Sequence, residues 1–434
     1  MKFFFGLTLI SFAQVFSQSH LSLESALNMA LTHNYLYQVS DMDAKIAEGM
    51  VSWGRADALP KADITASQIH SINDSRQERV GNIVEKKSQA QSTSTQAGIL
   101  GTWTVFEGLT SIAAHDRLSS QSALASERRE QMRQDIAAQV IMAYMDVVRQ
   151  QRVLSALDSA VALSKERAKI TEGKYSFGSV SKLEMLQAKL DLNEDLSSRL
   201  KQVAILANVR LVLTRLLTME DSISFTVNDT IPLAPFVDYQ GLVASARANS
   251  PALKQAEQIK NIASAGFREY RGHLFPQLGL SLGYNYTGSE SEAGFIKSNE
   301  TLGWNYGINV KWNVFDGFVL PNDYHAAKVA ERRADLLAQD TKSQLETALA
   351  QVRESSRASR EVLVLEEANL GLARENVGIA MERLRIGTIA SLELRVAQEK
   401  YIAAETRLVT ARFETKRAET ELLRLAGRLV SASP

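Results

Sequence analysis

The residue types that most often carry catalysis occur in this chain without the spacing that catalysis needs. There is no cysteine among the 434 residues, which excludes thiolate chemistry, disulfides and cysteine-ligated metals. No two histidines stand four positions apart, as they do on a metal-binding helix, and there is neither a glycine-rich phosphate loop nor a nucleophile elbow. We therefore expect no catalytic residue, no cofactor and no metal site. The six histidines are His20, His33, His70, His115, His273 and His325.

Carboxylates and basic side chains are abundant but balanced. Lys plus Arg number 49, and so do Asp plus Glu. Charges on helices are usually solvated or paired within one helix, and a neutral balance gives no reason to expect a nucleic acid partner. The function of the chain is therefore expected to depend on the surfaces that its helices and strands form.

The first 17 residues have the composition of a secretory signal peptide. Lys2 precedes an apolar run from Phe3 to Phe16, and the small Ser17 follows at a plausible cleavage point. A buried N-terminal helix is the alternative. The run is shorter than the about 20 residues that a membrane-spanning helix needs, and no later segment reaches that length. Any membrane crossing is therefore predicted to use β-strands.

The chain contains an internal repeat. WTVFEG at 103–108 returns as WNVFDG at 312–317, and FGSVSKLE at 177–184 returns as IGTIASLE at 386–393, both at an offset of 209 residues. Pro60 and Pro276 lie in matching segments at an offset of 216, which places a loop seven residues longer in the first copy. We predict repeats at 18–217 and 239–427, a linker or equatorial segment at 218–238 and a C-terminal tail at 428–434.

Two stretches of more than 100 residues lack proline and predict long helices. Apolar residues recur there at spacings of three, four and seven, as in coiled-coil seams. Helices are expected at about 111–175, 182–217, 323–385 and 392–426, and the longer two should reach on the order of 95 Å. Shorter helices are expected within 23–59 and 239–275, with breaks near Asn34 and Pro251.

Two turns should reverse these helices, near 176–181 and 385–391. Gly178 and Gly387 lie at the reversals, where glycine accepts the left-handed backbone conformation. Ser181 and Ser391 are the predicted N-caps of the helices that follow, and the acidic Glu184 and Glu393 come shortly after them.

Alternating apolar and polar residues predict four strands, at about 61–72, 95–107, 277–287 and 301–315. The pattern is clearest in the second pair, whereas Leu100 and Phe106 break it in the first. A soluble sandwich also alternates, but the strand length, the aromatic residues near strand ends and the polar loops favour an outer membrane barrel. Four strands cannot close a barrel, because the smallest have about eight. Three chains giving twelve strands is the simplest choice beyond a dimer.

The chain resembles the TolC-like outer membrane factor (outer membrane efflux protein) family over essentially the whole mature length. The resemblance rests on the duplicated order of elements, on WTVFEG and WNVFDG, and on the turns YSFGSVSKLEMLQAKLDL and LRIGTIASLELRVAQEKY. It implies a mostly α fold with a β-barrel: a long α-helical coiled-coil barrel plus four transmembrane β-strands per chain, shared as a twelve-stranded barrel by a homotrimer. It also implies an outer membrane channel and periplasmic duct for efflux or type I secretion, surrounded by outer membrane lipid and served by a periplasmic adaptor and an inner membrane transporter.

The resemblance implies roles for the two turns. Glu393 matches the first of the acidic positions that often narrow the tunnel mouth in this family, but Val396 occupies the second. Arg395 or Arg385 would be the salt-bridge partner of such a Glu393 gate. Turns without any partner fit the residues equally well. The residues implied in adaptor docking are Phe177, Gly178, Ser179, Val180, Ile386, Gly387, Thr388 and Ile389.

Two other classes of protein stay open at the level of the residues. A periplasmic coiled-coil adaptor or scaffold shares the long helical hairpins, although the amphipathic strand pairs argue against it. A membrane-associated enzyme is disfavoured because no catalytic arrangement is present. Drug, metal and protein export would use the same duct, so the sequence does not name the substrate or the class of pump.

Overall fold

The structure of the protein is a computed structural model that describes residues 19–81, 83–219, 225–228, 230–234 and 238–430. Contacts divide the described residues into two compact units, one built from those within 1–40, 129–251 and 343–434 and the other from those within 41–128 and 252–342. The first is mainly helical, and the second carries a four-stranded sheet with helical segments. The predicted signal peptide at 1–17 lies outside the described residues.

Six strands and eight helices follow one another in these described ranges. A pair of shorter helices, a pair of strands and a pair of long helices occur in this order twice, which confirms the duplication. In chain order the elements are β1 (Ser19–Leu21), α1 (Leu23–His33), α2 (Tyr35–Gly49), β2 (Lys61–Arg79), β3 (Ile83–Glu107), α3 (Thr110–Ser176), α4 (Lys182–Leu217), β4 (Phe225–Val227), α5 (Tyr239–Asn249), α6 (Pro251–Gly272), β5 (Gln277–Ser291), β6 (Ser298–Lys311), α7 (Val319–Arg385) and α8 (Ser391–Leu425).

The helices α3 and α7 contain 67 residues each, which corresponds to about 100 Å. The expected start of α7 at 323 was too late, because the helix begins at Val319 and takes Pro321 into its first turn. Proline is tolerated there since the amide it lacks would have no helical partner. The Asp316 carboxylate accepts a hydrogen bond from the Leu320 amide at 2.9 Å and so caps this start. In the part of the chain that the structure describes, each helix is too short or too polar to cross a lipid bilayer.

The core of the helical unit lies where α3 and α4 pack against the short parallel pair β1 and β4. Tyr144 is buried there, and its hydroxyl donates to the Leu21 carbonyl at 2.8 Å and accepts from the Asn228 amide at 3.1 Å. Burial raises the pKa of this hydroxyl. The bonds tie both strands of the small sheet to α3, at the end where Leu21 pairs with Val227. Other fully buried side chains in this core are Ile136, Val140, Met145, Leu213, Leu217 and Phe225.

The second unit contains an antiparallel sheet in the order β2, β3, β5, β6, so β2 and β6 are its edges. The first two strands are longer than predicted, because 61–72 extends to Arg79 and 95–107 starts at Ile83. The pairing of β3 with β5 begins only at Ser92. Residues 73–79 and 83–90 therefore pair only with each other, as a two-stranded ribbon. Most of the described side chains there are exposed, and a ribbon that is exposed to solvent on both faces shows no alternation of apolar residues.

One face of the sheet is apolar. Leu280 lies between Trp103 on β3 and Ile308 on β6. A register shift between Thr104 and Phe106 pairs Phe106 with Leu278, and pairing opposite Leu278 places it on the apolar face. Phe106 breaks the alternation in the sequence, yet a bulge places it on the apolar face. Alternation alone does not predict such a bulge.

The opposite face is polar, and glycines leave room for asparagine side chains on it. Gly279 lies opposite Asn309, and Gly283 lies opposite Asn305. A Cβ atom at either glycine would collide with the asparagine that faces it. The Asn285 amide also donates to the Asn305 side-chain oxygen at 2.7 Å. Amides therefore cover the polar face between the strands.

Both strand pairs are anchored at the same end by a tryptophan. The Trp103 indole N–H donates to the Ala58 carbonyl at 3.0 Å, and the Trp312 indole N–H donates to the Leu274 carbonyl at 3.3 Å. The strand expected to reach 315 ends at Lys311, since the chain leaves the ladder where Trp312 makes this bond. We call each of these two tryptophans, together with the carbonyl that its indole bonds, the indole anchor of its repeat.

Candidate functional site

The two helical turns have the same backbone geometry. Gly178 has φ of 72° and Gly387 has φ of 79°, both in the left-handed region. In each turn, the amide after the glycine donates to the carbonyl five residues before it, at 2.8 and 2.9 Å. This pattern ends a helix by satisfying its last carbonyls, and it requires a residue that accepts positive φ. The glycines therefore fix the shape of both turns.

The side chains of the turns divide into exposed and packed positions. Phe177 is 88% exposed and Ile386 is 74% exposed. The fourth residues of the turns, Val180 and Ile389, are half-buried, and Ile389 packs against the apolar residues of the second hairpin. Each turn therefore presents one large apolar side chain to solvent, and in the second turn Ile389 packs against the hairpin.

The two helices after the turns are capped differently. Ser181 is the N-cap of α4, and its hydroxyl accepts from the Glu184 amide at 3.2 Å, as predicted. Ser391 is not the N-cap of α8, since Ala390 occupies that position. The Ser391 amide donates instead to the Glu184 carboxylate at 3.3 Å. A carboxylate from the first hairpin thus stabilises the start of a helix in the second, where negative charge is favoured.

Glu393 lies on the exposed side of α8, and both arginines considered as its partner lie against other carboxylates. Arg385 contacts Glu382 at 2.8 Å and Glu166 at 3.8 Å. Arg395 is turned into the helical unit and is 8% exposed. In the described ranges no ion pair joins Glu393 to either arginine. The structure therefore does not bring the three residues of the predicted gate together.

Arg395 lies at the centre of a buried polar layer between the two hairpins. Its guanidinium contacts both oxygens of Asp195, at 2.8 and 3.0 Å. It also contacts Glu399 at 2.8 Å and Glu194 at 3.3 Å. Burial alone would lower the pKa of Arg395, but hydrogen bonding and the charge of Asp195 hold it above its ordinary value. The arginine stays protonated and links α8 to α4.

The same layer extends to α3. The Gln398 side-chain amide is fully buried and donates to the Ala160 carbonyl at 2.9 Å and to the Ser164 hydroxyl at 2.7 Å. Ser164 in turn hydrogen bonds with Asp195. Arg167 is 1% exposed and pairs with Asp191 at 2.6 Å. The helices α3, α4 and α8 are therefore joined by charged and polar groups that are buried from solvent.

Sequence reasoning missed this layer, although the signal was present. Its residues interrupt the apolar seams at helical spacings of three or four, which places them on the packed faces of their helices. A charge on a helix is predicted to be solvated or paired within its own helix, because most such charges are, and Arg395 is predicted only as a partner of Glu393. Among the described residues, no three His, Asp or Glu side chains are placed to share a metal ion. The buried polar residues in this part of the hairpins are Ser164, Arg167, Thr171, Asp191, Asp195, Arg395 and Gln398.

The fold and these contacts define a class of protein with duplicated long helical hairpins and an amphipathic antiparallel sheet. The family model described as outer membrane efflux protein matches residues 26–225 and 242–428. The chain belongs to the outer membrane efflux protein family, which confirms the resemblance seen in its sequence. It is an outer membrane channel of a tripartite efflux system and not an enzyme. The family assembles with a periplasmic adaptor and an inner membrane pump.

Individual proteins show the same relationship. Protein CyaE of Bordetella pertussis is 22% identical over 413 residues, which cover 94% of this chain and 84% of that one. A crystal structure of a membrane protein from Pseudomonas aeruginosa has a TM-score of 0.78 at 18% identity, covering 93% of each chain. The CmeC outer membrane channel of Campylobacter jejuni has a TM-score of 0.76 at 16% identity, covering 94% of this chain and 86% of that one. The likeness to both structures is a likeness of fold.

Proposed function

We propose that three copies of this chain form one channel, with a closed twelve-stranded barrel in the outer membrane and a helical duct in the periplasm. The observation that carries this proposal is the sheet, which has one apolar face and two open edges. Exposed side chains on β6 include Trp304, Tyr306 and Ile308, which are 68%, 86% and 74% exposed. Lipid is the environment in which such a face is stable.

The edges of the sheet explain why copies should join. Neighbouring strands are antiparallel throughout, so β2 and β6 run in opposite directions. The β6 edge of one copy can therefore pair antiparallel with the β2 edge of the next. Two copies would give eight strands, whose interior is filled by side chains. Three copies are the smallest closed ring that leaves a path, and the family resemblance supports the same number.

The duct is proposed to serve a periplasmic adaptor at its helical turns. The motif residues Phe177–Val180 and 386–389 are exposed in part, and backbone hydrogen bonds that the positive φ of the glycine permits define the shape of each turn. We infer that Phe177 and Ile386 are the apolar contacts of the adaptor. The proposal also includes the domain boundaries. These are a signal peptide at 1–17 that is removed, repeats at 18–217 and 239–427, and an equatorial segment at 218–238.

The lipid-facing role of the sheet can be tested with two neighbouring positions on β6. Ile308→Lys places a charge on the apolar face, where its cost in a bilayer rises with depth to about 2–4 kcal/mol at the midplane. Asn309→Lys places the same charge on the polar face and is the matched control. In planar bilayers we expect stepwise conductance from the unmodified protein and from the control, and little or none from Ile308→Lys. Equal insertion of both variants would contradict the proposal, and a protein without any conductance would favour the alternative of a periplasmic adaptor or scaffold.

A Glu393 gate remains part of the proposal, without an arginine partner from the same chain. Three copies would bring three exposed Glu393 side chains to the mouth of the duct. Glu393→Ala should then raise conductance or weaken block by divalent cations in the same bilayers. Glu382→Ala, which removes an exposed carboxylate just before the turn, is the control. Unchanged conductance and block in Glu393→Ala would show that this residue does not limit the opening.

A further inference from the structure

A groove of about 440 Å³ lies at the base of the sheet, where β3 turns into α3 and α6 ends. Its apolar wall contains Phe106, Leu109, Ile112 and Phe275, which are between 41% and 63% exposed. Arg268 and Arg271 also line the groove. The groove therefore combines exposed apolar surface with two cationic side chains.

The backbone at this place is shaped to present the apolar wall. Pairing with Leu278 aligns Phe106 with the apolar face of the sheet. Leu109 has φ of 69°, which is unusual for a large side chain and costs free energy. The preceding Gly108 lies against the backbone of Gly272, where any side chain would collide. The wall is thus a continuation of the apolar face below the strands.

The two arginines differ in their partners. Arg268 pairs with Asp116 at 2.9 Å. Arg271 lies in the last turn of α6, is exposed, and forms no ion pair with any residue that the structure describes. It precedes Gln277, the first residue of β5, by six positions. If β5 crosses the membrane, Arg271 lies at the level of the lipid head groups.

We propose that this groove binds one phospholipid of the leaflet that faces the periplasm, with its phosphate on Arg271 and an acyl chain along Phe106, Leu109 and Phe275. This inference rests on the proposed membrane position of the sheet. A free phosphate would leave the apolar wall uncovered. A second copy of the chain is expected at β2 and β6, the edges of the sheet, whereas the groove lies below the central strands β3 and β5.

The test measures how much phosphatidylglycerol stays with the full-length protein purified in detergent, by native mass spectrometry. Arg271→Gln removes the charge, and Leu109→Asn removes the apolar contact with a residue that tolerates positive φ. Both should reduce the retained lipid about tenfold, the effect of losing one charge-assisted hydrogen bond or a comparable apolar contact. Lys254→Gln changes an exposed cation on the same helix, about 25 Å away, and should retain lipid like the unmodified protein.

Each outcome bears on one claim. Equal retention in all four proteins would overturn the lipid site. Displacement of the lipid by millimolar inorganic phosphate alone would show an anion site without an acyl chain and would also overturn it. A changed oligomeric state of Arg271→Gln with unchanged lipid would assign the groove to contacts between copies. Conductance in planar bilayers is measured on the same samples. An unmodified protein that conducts but retains no phosphatidylglycerol would contradict this inference and leave the proposed function intact.

Discussion

The buried guanidinium of Arg395 joins the second hairpin to the first through Asp195. Arg395→Met should lower the free energy of unfolding by about 3–5 kcal/mol, because Asp195 would keep a buried charge without its partner. Thermal unfolding in detergent, followed by circular dichroism, measures the effect. Arg385→Met is the control, since its carboxylate partners are exposed and such pairs contribute about 1 kcal/mol or less.

A second substitution separates the pair from the packing. In the double variant Arg395→Met with Asp195→Leu, the uncompensated charge is gone, and part of the lost stability should return. If Arg395→Met costs no more than Arg385→Met, or if the double variant is as unstable as the sum of its parts, the buried pair is not what holds α8 in place.

Glu292 is expected to make the loop between β5 and β6 sensitive to pH. Its carboxylate accepts from the Gln91 amide at 3.3 Å and lies 3.4 Å from the Lys87 ammonium, and these contacts lower its pKa. A lowered pKa means that the contacts are present at neutral pH and are lost as the pH falls through that value. Hydrogen exchange at Gln91, corrected for its intrinsic pH dependence, should therefore accelerate in acid.

The same measurement on two variants decides whether Glu292 is responsible. Glu292→Ala should exchange fast at Gln91 at every pH. Glu290→Ala, which removes a carboxylate two positions away, should keep the acid-dependent profile. A Glu292→Ala protein that still shows protection at neutral pH would mean that the strands alone order this loop.

At the scale of elements, the turns between long helices depend on glycine in a way that other helix glycines do not. Gly387→Ala forces a side chain into the left-handed region and should cost about 1 kcal/mol or more. Gly371→Ala adds a methyl group in open space within α7 and should stabilise the helix by about 1 kcal/mol. Thermal unfolding of the two variants should therefore shift in opposite directions, and shifts of the same sign would refute the assignment.

The sequence was informative where a pattern repeats over many residues. The long helices, the helical turns with Gly178 and Gly387, and the amphipathic strands β5 and β6 follow from periods of 3.6 and 2 and from the duplication. The family of the protein was accessible through the same repeated motifs. These features are encoded locally, so one sequence is enough to predict them.

The remaining features depend on contacts between distant segments. Glu184 replaces Ser391 as the cap of α8, and Asp195 rather than Glu393 pairs with Arg395, because a hairpin more than 190 residues earlier in the chain lies beside them. The two-stranded ribbon before Ser92 has no apolar face, so apolar and polar residues do not alternate there and the sequence does not predict these strands. Such contacts appear only when the two hairpins or strands are placed together.

At the scale of the whole molecule, the absence of cysteine makes the proposed ring of three chains directly testable. A cysteine at Ile64 on β2, combined in turn with one at Tyr306, Ile308 or Val310 on β6, should form disulfides between copies wherever the register brings the two Cα atoms within about 7 Å. We expect a covalent species of three chains on a denaturing gel after oxidation, which reduction removes.

A cysteine at Ile99 in place of Ile64 is the control for this crosslinking. Ile99 lies on the central strand β3, which is flanked by β2 and β5 of its own chain. It should not crosslink to any of the β6 positions. Covalent dimers as the largest species, or crosslinking from Ile99, would contradict the ring of three.

The indole anchors have a practical consequence. Trp103 and Trp312 fix one end of their strand pairs in the same way, whereas the repeats differ in length at the other end, where β2 reaches Arg79 and β5 ends at Ser291. The two hairpins therefore differ in length while the tryptophan bond at the base of each is the same in kind. A foreign peptide inserted between Val80, which is fully exposed, and Gly81 should likewise be tolerated. In the proposed orientation it would be carried on the outside of the cell, which makes this chain a scaffold for surface display.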